Sequence, residues 1–527
     1  MQSMTLASVA VLAPALALLL GGTLVGGLAV PRISQKGARG IGLAFTAAAL
    51  GMAARLWLAS RSRDLYVALP LPSGTDASAT DVHVDPIAGL ILISILTVGL
   101  ATLDEEESQT SAIRVAAVLL TLAIAAVLVL STSLLVIAIL WTALIFAPAV
   151  WLIARKEVEE AMSWASLAVI VAPILALSGA ILGAGHGGTA LLTVEPSSAN
   201  LWAALLLGFV GLVGAGLTPL KDWLLRPTRM GLTTMIADGI LPLVGFYLAL
   251  RAIGLLGADR SIVLGAVFIG VGLWCVGDAA RQARQAVSFL EVIRAAGRGD
   301  SGLAVIALGI GTRPAVTAAV FLLLFGVLAR ISARIARRDW LARLGWASMA
   351  GLPPLPGFVG RWLIVVAALG AGQWFLAIII AVGAMVLTSA MFASASVRSD
   401  GDEPLSFAEI ALASTLLVGG IVPWHWLFSV VVPLTTLPEL PSPTVTDIAT
   451  LLALLAVTLS TLTAVAVARQ SPHLPRHRDV HKLQDRSWDG VVRLAERVAE
   501  LGRAVDARYN LPFGFLAVIV AVFALVR

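Results

Sequence analysis

Gly351-Leu352-Pro353-Pro354-Leu355-Pro356-Gly357 interrupts an apolar stretch that runs from about residue 342 to residue 370. Proline lacks an amide hydrogen and its ring crowds the preceding turn, so a membrane-crossing helix must break here. The carbonyls that the break frees need buried polar partners. The pattern G-L-x-P-L occurs a second time, 135 residues earlier, at Gly216-Leu217-Thr218-Pro219-Leu220, again inside an apolar stretch. Pro219 in one copy, and Pro353 and Pro354 in the other, are expected to mark helix breaks. Interrupted helices at corresponding places of two halves point to a repeat-built membrane protein with its ion path at the breaks. Counting apolar segments puts the breaks five helices apart, an odd number, so the halves are expected to be inverted-topology repeats.

Outward from these breaks the whole chain reads the same way. Its 527 residues are 59% hydrophobic and 13% charged, which excludes a set of soluble domains. Apolar segments lie near 4–30, 40–60, 86–102, 112–131, 133–154, 162–184, 200–220, 230–254, 261–280, 301–311, 314–336, 342–370, 373–397, 406–434, 445–468 and 510–526. The expected fold is an all-α polytopic membrane protein with about 15–16 transmembrane helices, each long enough to cross about 30 Å of hydrocarbon. The first stretch is too long for a cleaved leader and is expected to stay as a helix. The segment 285–311 is polar until Gly302 and is expected to begin as a helix carrying Glu291 and Arg294 inside the protein.

The organisation follows: an N-terminal three-helix segment over 1–111, repeats of five helices over 112–254 and 255–397, further transmembrane helices over 398–468, and a closing segment over 469–527. In the last, Trp488, Val491, Val492, Ala495, Val498, Leu501 and Val505 recur at helical spacing opposite Arg493, Glu496, Arg497, Glu500 and Arg503. That pattern predicts a lateral amphipathic helix, either a surface anchor or a strap along a neighbour, followed by a last span over 511–527.

A net charge of +5 does not mean nucleic acid here, because the basic residues sit in short loops as membrane anchors. Their alternation places the N-terminus outside and the lateral helix on the cytoplasmic side, as expected for a bacterial inner (plasma) membrane. Asp104 through Glu107 lie in a loop of basic parity, but acidic residues carry little weight in that rule. One cysteine, Cys275, excludes an intrachain disulfide framework and a cysteine-bound iron–sulfur cluster. No metal, phosphate-loop or nucleophile motif occurs, so no catalytic centre and no cofactor is expected in this chain.

Met349-Ala350-Gly351-Leu352-Pro353-Pro354-Leu355-Pro356-Gly357-Phe358-Val359-Gly360-Arg361-Trp362 resembles the broken-helix signature of the antiporter-like subunits of respiratory complex I, Mrp cation/proton antiporters and membrane-bound nickel–iron hydrogenases. Pro219-Leu220-Lys221-Asp222-Trp223-Leu224 and Gly245-Phe246-Tyr247-Leu248-Ala249-Leu250-Arg251 are similar to two further motifs of that family, and Asp85 stands where it has an Asp. The resemblance covers about 85–435. It implies a membrane subunit of a redox-linked, multi-subunit complex moving protons or Na+, with other membrane subunits as partners. A peripheral redox arm would hold any iron–sulfur or nickel–iron centres. The family's path residues are replaced: its Glu position falls on Thr142, its broken-helix Lys on Gly214, and its relay His on Met235 or Ala237.

A proton path needs titratable groups or water at hydrogen-bond spacing. Asp238 is a relay in place of the His, or a structural Asp bonded to freed backbone. Lys221 and Asp222 form either a switchable pair or a solvated anchor. Asp278 precedes Arg284, and Arg284, Glu291 and Arg294 follow at spacings of seven and three, which places them on one helical face. Arg361 occupies a place where the family usually has Lys. Because arginine hardly deprotonates, such positions argue for fixed charge, anion affinity or structural pairing rather than proton hopping. Two other functions use the same scaffold: a non-conducting structural subunit, and the membrane partner of an inorganic-carbon uptake system.

Overall fold

The computed structural model describes residues 6–28, 34–60, 65–67, 82–104, 112–154, 158–186, 197–216, 232–256, 262–286, 288–335, 339–394, 407–421 and 448–470. Pro219, Lys221, Asp222, the lateral helix and the last span lie outside these residues.

An all-α membrane bundle is what the sequence folds into. Helices α1 (Leu6–Thr23), α2 (Gln35–Ser60) and α3 (Pro86–Asp104) come first. They are followed by α4 (Ala112–Leu130), α5 (Leu134–Ala154), α6 (Val158–His186) and α7 (Leu201–Gly214). A short α8 (Leu232–Thr234) runs through a π-helical turn, Met235–Ile240, into α9 (Leu241–Gly254). The second group is α10 (Ile262–Gln285), α11 (Phe289–Ile310), α12 (Arg313–Ile335), α13 (Asp339–Met349), α14 (Pro356–Gly370) and α15 (Trp374–Ser394). Finally come α16 (Phe407–Ile421) and α17 (Ile448–Gln470). Among the described residues ten helices are long and apolar enough to cross a membrane, and shorter apolar helices join them. The exception to helix is a two-stranded ribbon in which β1 (Leu65–Val67) pairs antiparallel with β2 (Val82–Val84).

Both copies of the G-L-x-P-L motif end a helix by the same device. Gly216 and Gly351 adopt positive φ, 77° and 73°, a conformation that only glycine enters without strain. In each copy the two residues closing the turn donate back to the helix: Ala215 to Gly211 and Gly216 to Val213, then Ala350 to Trp346 and Gly351 to Ser348. In the second copy the chain continues through Pro353 and Pro354 and restarts as α14.

Glycine governs how the helices approach. Gly265 and Gly272 on α10 face Gly309 and Gly302 on α11, each pair spaced by seven, which keeps them on one side of each helix. A Cβ at Gly272 would come within 2.6 Å of the Gly302 carbonyl, so α10 and α11 touch through backbone. Large apolar side chains at Ile139, Val150, Ile153, Ile262 and Trp274 point away from the bundle, as lipid-facing surfaces require.

An ion pair ties the N-terminal helices to the first group. Asp85, fully buried just before α3, accepts from Arg251 on α9, which also bonds Tyr247 Oη at 3.0 Å. The family-like residues Tyr247 and Arg251 thus serve one contact. Burial alone would raise the Asp85 carboxyl, but Arg251 and the Ala88 amide at 2.7 Å outweigh it and hold it below the usual range. A depressed carboxyl stabilises the fold above its unfolded pKa and loses that contribution as pH falls through its folded pKa. Asp85→Asn is therefore expected to lower the thermal midpoint at neutral pH by an amount that shrinks on acidification. The neutral-pH cost is roughly 3 kcal/mol, the low end for breaking a buried pair. Scanning calorimetry of both proteins across pH checks this.

Candidate functional site: a buried charge row

The first group of helices is closed where an ion path would need room. Gly214 faces Trp141 and the backbone of α9, and a Cβ there would lie 2.5 Å from Trp141 Cη2 and 2.8 Å from Gly245 Cα. Gly211 and Gly245 make the same kind of contact, 2.6 Å from Ala249 N and 2.3 Å from Ala215 N. Trp141 is fully buried against this seam, and the Thr142 hydroxyl turns back to the Ala138 carbonyl at 2.7 Å. No longer side chain fits at Gly214. The Gly211 to Gly216 run therefore does two jobs, close helix packing at its start and a turn at its end.

Charge collects instead between the π-helical turn that leads into α9 and the helices of the second group. Asp238 sits in the π-helical turn, 4% exposed, and Arg334 Nη1 on α12 approaches its Oδ2 at 2.7 Å. One turn deeper on α12, Arg330 donates its Nε to the Gly326 carbonyl at 3.3 Å and lies over Gly297 of α11. A Cβ at Gly297 would fall 2.1 Å from Arg330 Cδ, so only glycine leaves the guanidinium its place. Arg330 is within electrostatic reach of Asp238 on one side and Asp300 on the other. Asp300, 3% exposed on α11, faces Arg361 Nη2 at 3.4 Å.

Arg361 belongs to the helix break as well as to the row. Its Nη2 donates to Met349 O at 2.5 Å, and its Nη1 to Ala350 O at 3.0 Å and to Thr388 Oγ1 at 2.7 Å. The Thr388 hydroxyl in turn donates to Ala350 O at 2.9 Å. The carbonyls that α13 leaves open are thus filled by a fixed cation. A branch joins from α10, where Asp278 accepts from Arg281 and Gln282, both at 2.6 Å, and Gln282 accepts from Arg298. At 1.5 Å per residue, Asp300 lies about 16 Å along α11 from its start, near the middle of a bilayer, while Arg334 is close to the end of α12. The row therefore enters from one side and stops at the break.

No family model matches the sequence, and no curated protein matches it. Solved structures do. A chain of the Mrp complex from Dietzia sp. DQ12-45-1b superposes with a TM-score of 0.68 at 16% identity, covering 88% of this chain and 100% of that one. A chain of respiratory complex I from Thermus thermophilus gives 0.66 at 18% identity, over 81% and 100%. A chain of the membrane-bound sulfane sulfur reductase, an archaeal respiratory membrane complex, gives 0.71 at 16% identity, over 98% and 99%. The chain shares its fold with these chains of three membrane complexes.

Within this fold, the sequence-derived candidates are placed unevenly. Asp238 and Arg361 lie in the row. Asp278 lies on its branch, and Arg294, partly buried on α11, is within electrostatic reach of Asp238, Arg334 and Arg298. Glu291 has a local role: its carboxylate accepts from the Ser288 amide at 3.4 Å and its own amide donates to Ser288 Oγ at 3.3 Å, a capping box that starts α11. The shared face of Arg284, Glu291 and Arg294 does not form, because α10 ends at Gln285 and Ser288 begins a new helix. Arg284 is exposed at that end.

Asp300, Arg298, Arg330 and Arg334 escaped sequence reading. Arg334 falls among the basic residues that the sequence assigns to short loops as membrane anchors, yet its side chain is 5% exposed and paired with Asp238. The available signal was Arg330 and Arg334 at i,i+4 inside an apolar window, a spacing that stacks two cations on one face. Gly214→Ala is expected to destabilise by about 1–3 kcal/mol through overpacking. Gly270→Ala, where nothing lies within 4 Å of the added carbon, is the matched control and is expected to be neutral or mildly stabilising. Thermal unfolding in detergent compares the two.

Proposed function

We propose that this chain is an antiporter-like membrane subunit of a multi-subunit, redox-linked complex that translocates protons or Na+, with its ion route running from the π-helical turn of the first group of helices through the second group. The observation that carries this reading is the row of the ion pairs Asp238–Arg334 and Asp300–Arg361 with Arg330 in electrostatic reach of both carboxylates, buried in the bundle and ending at the helix break. Charges in a bilayer interior are costly, and they mark ion routes. The likeness to chains of an Mrp complex, of complex I and of an archaeal respiratory complex supports assembly with other membrane subunits.

In this reading redox centres, iron–sulfur or nickel–iron, belong to partner subunits, and the chain acts in a bacterial inner membrane. The arginines hold fixed charge, and Asp238 and Asp300 are the groups that exchange protons or cations as their pairing with Arg334 and Arg361 changes. A partner's conformational signal biases which pairs are closed.

One observation favours the non-conducting scaffold instead: the packing around Gly214 leaves no room there for the longer side chain of a titratable residue. Asp300→Asn and Asp238→Asn in the intact complex, reconstituted in vesicles, separate the two. Ion movement per turnover is expected to fall about tenfold or more, the effect of roughly 1.4 kcal/mol or more on a barrier, with the complex still assembled. Unchanged ion movement in both variants establishes the scaffold reading and removes the proposed route.

A further inference from the structure

We propose that the chain binds one small monovalent inorganic anion, of the size and charge of chloride or hydrogencarbonate, among Arg294, Arg330 and Arg334. The inference rests on charge balance and geometry, independent of whether the chain conducts. Three guanidiniums, Arg330, Arg334 and Arg361, share the buried row with two carboxylates. Each carboxylate already has its own arginine: Asp238 has Arg334 and Asp300 has Arg361. Among the described residues Arg330, 3% exposed, makes one hydrogen bond, to the Gly326 carbonyl, and no ion pair.

Arg294 adds to the excess. It lies within reach of the carboxylates of Asp238 and Glu291 and of the cations Arg334 and Arg298, and its Nε is buried without a hydrogen-bond partner, as is the Nε of Arg334. Arginine does not shed its proton, so the surplus cannot be relieved by neutralisation as it would be for a buried lysine. An uncompensated charge is costly in such a place. A weakly hydrated planar fork is suited to a small anion, which offers lone pairs to several N–H groups at once. Gly297 is the feature that makes this arrangement possible, since any side chain there would displace Arg330. The three arginines come from α11 and α12 of the same chain and gather around the π-helical turn, inside the bundle. This favours a free inorganic ion over the phosphate of a lipid held at the rim.

The test uses the full-length protein with its companion subunits, exchanged into gluconate, a bulky organic anion, and titrated with bromide at constant ionic strength. Bound bromide is counted by elemental mass spectrometry after gel filtration, with phosphorus measured in the same sample. Saturable uptake of about one bromide per chain, displaced by chloride, is expected. Affinity should fall about tenfold or more, or roughly 1.4 kcal/mol, in Arg330→Gln, and should be unchanged in Arg55→Gln on the exposed face of α2. Arg294→Gln serves as the second variant if Arg330→Gln does not fold. Absence of saturable bromide in the native protein, retention of lipid phosphorus in its place, or full affinity in the folded variants would each overturn the proposal.

Discussion

Arg361 occupies the one place where the membrane solvent and the broken backbone make opposite demands. A helix interrupted at mid-bilayer exposes carbonyls that no water reaches, and hydrocarbon does not hydrogen-bond. Arg361 answers by donating to Met349 and Ala350, with Thr388 bridging beside it. A guanidinium suits this better than an ammonium, since a planar fork with several donors reaches two carbonyls, a hydroxyl and a carboxylate together. Burying that cation then calls for a negative partner, which Asp300 supplies. The charge row grows from this requirement outward, one element at a time, until Arg334 meets Asp238 in the π-helical turn.

The two groups of helices solve the same packing problem differently. In each the interrupted helix is fourth, and in each a glycine at positive φ ends it. In the first group the space beside the break is filled by backbone and Trp141, a dry contact that needs no charge. In the second it is filled by arginine and aspartate. One scaffold therefore carries a half sealed beside its break and a half charged beside its break; the proposed anion site lies in the charged half, and the proposed route enters it from Asp238. The π-helical turn is where the halves meet electrostatically, because it carries Asp238 toward α12 while Gly239 lets Val98 of α3 pack against its other side.

Much of this fold was legible in the amino-acid sequence because the constraints are local. Apolar length reports a membrane span, a proline inside it reports a break, and Gly216 and Gly351 in matching contexts report a repeat. The start of α11 was not read this way: Glu291 is placed by spacing on one face with Arg284 and Arg294, whereas in the fold it closes a capping box with Ser288. Arg361 and Asp238 stood out because each is charged within an otherwise apolar run. Arg284 misled for the converse reason: spacing assumes an uninterrupted helix, and the break at residues 286–288 rotates and displaces everything after it.

What the sequence by itself determined is the class of structure and the position of its interruptions, since both follow from how single segments partition between water and lipid. Which charges meet was decided only by tertiary structure. Asp238 and Arg334 are separated by nearly one hundred residues, and Asp300 and Arg361 by sixty-one. The space that brings them together depends on Gly297, Gly326 and the backbone contact of neighbouring helices. Pairing of buried charges is a property of distance in a low-dielectric interior. No periodicity along the chain encodes that distance.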